Sequence, residues 1–326
     1  MCRKGELSPG KEDLMGKYIL KRTLQMLFTI AVVSVLIFSV VRITPTDPIT
    51  SITRGKPASE ETIAALKKEY NLDQSMPVQY INWVSDMFHG DFGKSYQYRE
   101  PVASIIAVRM MTTLQLMLQS AVLIVFIAIP FGMLSASKMN SLLDQTATVT
   151  SLVLVSSPSF FTGILLMLLF TMVWPVFPTF GTGTDFISNI RYLALPSIAL
   201  AAVHMALIMR ITRSNMVEQL SANYIQTATA KGLSRPEVVY KHALKNAAIP
   251  ILTVTSLELS GLLGGSVMVE KVFSLNGIGS LLADSINKSD YPVIQSLTLL
   301  MVIIFLLCNL IVDILYAVLD PRIRLK

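Results

Sequence analysis

The apolar positions of this chain gather into six long blocks, each near the roughly 20 residues that cross a bilayer as a helix. They cover residues 18–42, 113–136, 147–172, 193–212, 250–271 and 292–319. The pattern predicts an all-α polytopic membrane protein with six transmembrane helices. The first block has an apolar core from Leu24 to Val41 and runs on into Arg42-Ile43-Thr44-Pro45. A cleaved signal has a core of only about 7–15 residues, so an uncleaved first helix is expected. The third block is interrupted by Ser156-Ser157-Pro158, which packed neighbours in a membrane can accommodate. The fifth carries Gly261, Gly264 and Gly265, residues that let helices approach closely.

Two polar blocks stand out between the apolar ones. The segment from Thr44 to Arg109 is too long for a bare connection. In it Ser59 reads as an N-cap, with Glu60 and Glu61 in the first turn and Lys67 and Lys68 in the last, so a helix over about 60–70 is expected. A second helix is expected over Pro77–Phe88. The other polar block, Asn223 to Pro250, is basic and rich in small residues.

Charge orients these blocks. Lys and Arg concentrate in the tail and helix start (Arg3, Lys4, Lys11, Lys17, Lys21, Arg22), in the 210–249 region (Arg210, Arg213, Lys231, Arg235, Lys241, Lys245) and at the end (Arg322, Arg324, Lys326). With six spans all three lie on one side, which the positive-inside rule makes cytoplasmic. The expected organisation is a cytoplasmic tail over 1–17 and a single transmembrane domain over 18–326. Within that domain, 44–109 is extracytoplasmic and 214–249 forms a cytoplasmic loop. Composition agrees, at 52% hydrophobic and 15% charged, against about 25% charged in soluble domains. The net charge of +6 follows from the cytoplasmic cations and does not argue for nucleic acid.

Little catalytic chemistry is visible. Cys2 and Cys308 are far apart, and His89, His204 and His242 form no metal-binding pattern. No cofactor is expected. No phosphate-binding GxxxxGK[ST] loop is present, so any ATP would be hydrolysed by another chain. Ionisable residues within spans are functional candidates because each is costly in hydrocarbon. Glu258 and His204 are therefore candidate pore-lining residues, although Glu258 also suits a place near the cytoplasmic interface or pairing with a partner helix. His204 with Met205 and Met209 reads as a soft-metal ladder or, more simply, as packing. Asp313 and Cys308 read as structural.

In the 223–250 block, Ala228 and Ala230 offer close approach, Gly232 can leave a helix at positive φ, and Pro236 suits the first turn of the next helix. Taken alone this is a helix–turn–helix, either a docking surface or an amphipathic linker. The pattern Tyr224-x-x-Thr227-Ala228-x-Ala230-Lys231-Gly232-Leu233, followed by His242-Ala-Leu-Lys-Asn-Ala-x-Ile-Pro250, resembles the "EAA" loop of membrane subunits of ATP-driven importers. Gln226-Thr227-Ala228 replaces Glu-Ala-Ala, and Pro250 lies further from Gly232 than in the general pattern. Both features resemble the dipeptide, oligopeptide and nickel subgroup of these permeases.

The resemblance extends along the chain, through Tyr18–Arg22, Arg42–Pro48 (with Thr46 for the usual glycine), Tyr70–Asp73, Pro77–Tyr80, Gly90–Ser95, Val269–Phe273, Asn276–Gly279, Asp290–Gln295, Asn309–Asp313 and Leu319–Arg324. It implies a permease in the cell membrane that forms half of a translocation pore. The implied partners are a second permease, two ATP-binding subunits and an extracytoplasmic substrate-binding protein, with Tyr224, Thr227, Ala228, Ala230, Lys231, Gly232 and Leu233 coupling to the ATPase. The closing run Leu299–Asp313 looks more like the nickel permeases of the subgroup, as does Asp290–Gln295, which peptide permeases largely share, so nickel is the expected substrate, with di- or oligopeptides the alternative. A self-sufficient secondary transporter would show repeated halves and mid-membrane ionisable groups, and neither is clear in the sequence.

Overall fold

A computed structural model describes residues 11–43, 47–181, 183 and 185–319. Among these the regular structure is helical, with no β-strand. In chain order the helices are α1 (Lys11–Ile43), α2 (Pro48–Thr53), α3 (Glu60–Glu69), α4 (Met76–Phe88), α5 (Val102–Leu123), α6 (Ile129–Ser137), α7 (Leu142–Ser156), α8 (Ser159–Met167), α9 (Phe186–Tyr192), α10 (Ala194–Leu220), α11 (Asn223–Ala230), α12 (Arg235–Glu237), α13 (Leu244–Val272), α14 (Ile278–Asn287) and α15 (Tyr291–Leu319). Arg3, Lys4, Thr44–Thr46 and Asp320–Lys326 lie outside the described residues.

Five helical stretches are long and apolar enough to cross a membrane: Ile19–Ile43, Val102–Ser137, Ala194–Leu220, Arg235–Val272 and Tyr291–Ile314. The third predicted span is different. It is a pair, α7 and α8, bent by 109°, and counts as a sixth span only if the pair crosses as one. The bend follows from Pro158, which disfavours helical geometry in the residue before it. Ser157 is extended, at φ −100° and ψ 123°. The second span starts eleven residues before its predicted boundary, because Arg109, Thr112 and Thr113 are polar yet helical. Pro130 lies in its interior, next to a π-helical turn over Ile124–Ala128, the kind of turn that absorbs a lost backbone bond.

α10 is the central helix. Half of its apolar window is buried, against 17% for α1 and 11% for α15. Its small residues Ala199, Ala201, Ala202 and Ala206 are all buried, which brings neighbouring backbones close. A Cβ at Gly132 of α6 would meet the Met209 carbonyl and Thr212 Cβ at 2.7 Å, so glycine is required at that crossing. The main core joins Leu116, Ile124, Leu200, Ile208, Leu262 and Phe273.

The two ends of the bundle are built differently. At one end the segment from Asp47 to Pro101 and α14 form a cap. Ser59 caps α3 by accepting from the Thr62 N–H, and both expected short helices are present as α3 and α4. Tyr70, Tyr96 and Tyr291 stack edge to face at centroid distances of 5.0 and 6.2 Å, and burial pushes the Tyr96 phenol above its ordinary pKa range. At the other end α11 and α12 form a hairpin between α10 and α13.

Candidate functional site

The hairpin is shaped by local sequence. α11 ends at Ala230, and Gly232 follows at φ 83°, its N–H bonding the Thr229 carbonyl at 3.0 Å. A Cβ there would meet nothing within 4 Å, so the requirement for glycine is conformational and not steric. Pro236 lies in the first turn of α12, as its fixed φ favours. A π-helical turn over Val238–Ala243 then leads into α13, which runs through Pro250 without stopping.

The candidate coupling residues separate by face. Ile225 and Ala228, one turn apart, are buried with Val238, Val239 and Ala243 in a small core that the hairpin shares with Met133 of α6, Met216 of α10 and Ala247 of α13. Leu233 packs against its edge. Tyr224, Thr227, Ala230, Lys231 and Gly232 are exposed. The small side chain of Ala228, which the sequence reading assigned to close approach of a partner, fits the hairpin's interior. The Arg235 guanidinium donates to the Ser137 carbonyl at 2.5 Å, fastening the hairpin to the end of α6. A cleft of about 560 Å³ lies between them, lined in part by Lys138, Leu220, Thr229 and Arg235.

The two candidate pore residues, 54 positions apart, are brought together. His204 Nδ1 lies 2.6 Å from Glu258 Oε2, with both side chains partly exposed. A Cβ at Gly261 would stand 3.5 Å from the His204 ring, an ordinary contact. Met205 and Met209 pack against the main core, in keeping with the packing reading. Asp313 pairs with Arg22 of α1 at 3.3 Å, a structural role. Cys308 is a half-buried free thiol. Among the described residues no cluster of His, Cys, Asp or Glu has the geometry of a metal site.

Residues 15–117 match the family described as the N-terminal part of binding-protein-dependent transport system membrane components. Residues 128–325 match the binding-protein-dependent transport system inner membrane component family. The chain belongs to that family. It is a multi-pass permease subunit of a binding-protein-dependent ABC importer, and the self-sufficient secondary transporter reading falls with this assignment. Over 316 residues the permease is 38% identical to the oligopeptide transport system permease protein AppB of Bacillus subtilis (strain 168), covering 95% of this chain and 100% of the relative. Over 312 residues it is 40% identical to the glutathione transport system permease protein GsiC of Escherichia coli (strain K12), covering 96% and 100%. A probable peptide ABC transporter permease protein, y4tP of Sinorhizobium fredii (strain NBRC 101917 / NGR234), is 36% identical over 314 residues, covering 95% and 100%.

Three buried carboxylates of the permease escaped the sequence reading. Asp144, at the start of α7, accepts from both Arg213 Nε and Nη2, from Ser135 and from the Asn140 N–H, tying the α6–α7 turn to α10 just before the hairpin. Glu270 is fully buried. It accepts from Thr113 Oγ1 at 2.6 Å and the Ser280 N–H at 2.8 Å, holding α14 against α5 and α13. Asp290, also fully buried, accepts from Ser95 Oγ at 2.5 Å and the N–H groups of Tyr96 and Gln97 at 3.0 and 3.2 Å. Glu270 was signalled by its place inside the predicted fifth span and in the family-like stretch 269–273, and Asp290 only by its place in the stretch 290–295. Asp144 carried none beyond its position near a capping serine.

Proposed function

We propose that the chain forms half of a pore that imports short peptides, driven by ATP hydrolysed on partner subunits. The observation that carries this reading is full-length similarity to permeases named for oligopeptides and for glutathione, itself a tripeptide. The nickel expectation rested on the runs Asp290–Gln295 and Leu299–Asp313, and none of the three relatives described above is named for nickel.

In this reading a second permease, two ATP-binding subunits and an extracytoplasmic substrate-binding protein complete the transporter. The bent pair α7–α8 counts as one crossing, both termini are cytoplasmic, and the cap faces outward. The hairpin's exposed face, Tyr224, Thr227, Ala230, Lys231 and Gly232, seats on the ATPase, while Ala228 and Leu233 hold that face rigid. Closure of the ATPase pair pushes the hairpin. Its helical continuity with α13 and its fastening to α6 carry the push into the bundle, in the manner of rigid-element switching. The His204–Glu258 pair lines the pathway.

The test is uptake in cells lacking this chain. Loss of labelled di- or tripeptide accumulation with normal nickel accumulation is expected, and lost nickel uptake with normal peptide uptake would overturn the substrate assignment. Orientation is read separately: a cysteine at Lys67 should react with an impermeant reagent from outside, and one at Lys231 should not.

A further inference from the structure

Where α1 ends, it closes over a cleft of about 430 Å³ shared with α4, the 91–96 stretch and the start of α15. Four side chains lining it carry a buried polar atom with no hydrogen-bond partner: Arg42 Nε, Trp83 Nε1, Gln295 Nε2 and Gln79 Oε1. Gln295 is only 5% exposed. Gln79 commits its amide nitrogen to the Gln74 carbonyl at 2.7 Å, which leaves its oxygen as the acceptor. The other three atoms are donors only. Unmet buried donors are costly and rare, and a cleft that gathers three beside one acceptor has the complement of a ligand.

The charges narrow the chemistry. Arg42, stacked over the Phe38 ring at 5.2 Å, and the two other donors suit an oxyanion. The rest of the lining includes Glu69, Asp86 and Asp91. Its lysine, Lys94, is held by Glu69 at 3.0 Å, so the rim carries surplus negative charge suited to an ammonium. The location narrows it further. Arg42 stands at the end of the apolar stretch Ile19–Ile43. The Phe38 ring packs with Tyr80 and Trp83 at 5.4 and 5.9 Å, an aromatic group of the kind found at the membrane–water boundary. α1 is peripheral, with only 17% of its apolar window buried, so the cleft lies where a helix that faces lipid reaches the headgroup level.

We propose that this cleft is the headgroup site of a phospholipid bearing a primary amine, of the phosphatidylethanolamine type. Its phosphate accepts from Arg42, Trp83 and Gln295, and its ammonium donates to Gln79 and the acidic rim. The site is independent of what the permease transports.

The test is native mass spectrometry of the full chain, extracted from membranes in mild detergent with its co-purifying subunits and titrated with phosphatidylethanolamine or phosphatidylglycerol. The wild type should retain the ethanolamine lipid about tenfold more tightly than the glycerol lipid, and Trp83→Phe with Gln295→Met should lose about tenfold of that affinity. Both substitutions keep apolar bulk, and the headgroup comparison on the wild type decides the matter even if the double variant fails to fold. Equal retention of the two lipids, or undiminished ethanolamine-lipid binding by a folded double variant, would overturn the proposal. So would displacement of the lipid by tail-free glycerophosphoethanolamine at equal concentration, which would make the ligand a soluble phosphate and not a lipid.

Discussion

The hairpin and the cap solve the same problem with opposite materials. Each must hold a non-spanning segment against the end of a helical bundle. The hairpin uses an apolar core shared with α6, α10 and α13, with Ile225, Ala228, Val238, Val239 and Ala243 inside, and leaves its polar face outward. The cap uses buried carboxylates: Glu270 takes Thr113 and the backbone of α14, and Asp290 takes the backbone of residues 96 and 97. An apolar core is graded, because each methyl group contributes modestly and misfits can relax. A buried carboxylate is all or nothing, because removing it leaves several donors without water or partner. The hairpin's graded core suits the proposed coupling role, in which a surface engages and releases a partner, and the cap's carboxylates suit a surface that keeps its shape.

The comparison breaks most sharply at Glu270. Glu270→Ala would strand the Thr113 hydroxyl and the Ser280 N–H, each unmet donor costing about 1–3 kcal/mol. A total loss of about 2–6 kcal/mol is expected, seen as a sharply lowered melting temperature or absence of folded protein from the membrane; an unchanged melting curve would mean that the cap does not depend on this carboxylate. Next is Gly277→Ala. A Cβ there would overlap the Glu270 carboxylate, and overpacking typically costs about 1–3 kcal/mol. The same assay reads it, and Glu270→Ala should mask part of the effect, since the two share one contact.

At the hairpin, adjacent residues should behave oppositely. Ala228→Leu, inside, should lower stability by about 1–3 kcal/mol. Thr227→Arg, outside, should change it by less than about 0.5 kcal/mol yet abolish peptide uptake while ATP hydrolysis continues uncoupled. Full transport by the folded Thr227→Arg protein would remove the coupling role from that face. Gly232→Ala should cost about 1 kcal/mol, for a left-handed residue with open space around it, measured by the same melting curve. A loss above about 3 kcal/mol would show that Gly232 is confined sterically as well.

Much of this was legible in the chain itself. The length of each apolar block, the Ser59 and Glu60–Glu61 start of α3, the Gly232 turn and the Pro236 start of α12 are all read from neighbours in sequence, because backbone preference and capping act over a few residues. The hairpin, whose residues lie within one short stretch, was found as a unit. Its inside and outside were not, since Ala228 and Ala230 differ only in which face of α11 they occupy.

What the tertiary structure alone decided are the pairings at a distance. His204 meets Glu258 across α10 and α13, Asp144 meets Arg213, Thr113 meets Glu270, and Ser95 meets Asp290 across 195 positions. Pro158 marked a weak point in the third span, but whether the helix kinks slightly or turns through 109° depends on what packs against it. A single charged residue in an apolar run signals a cost that must be met. Which group meets it is set by helix crossing and rotation, and those depend on small residues such as Gly132 and Ala199 fitting against partners far away in the chain.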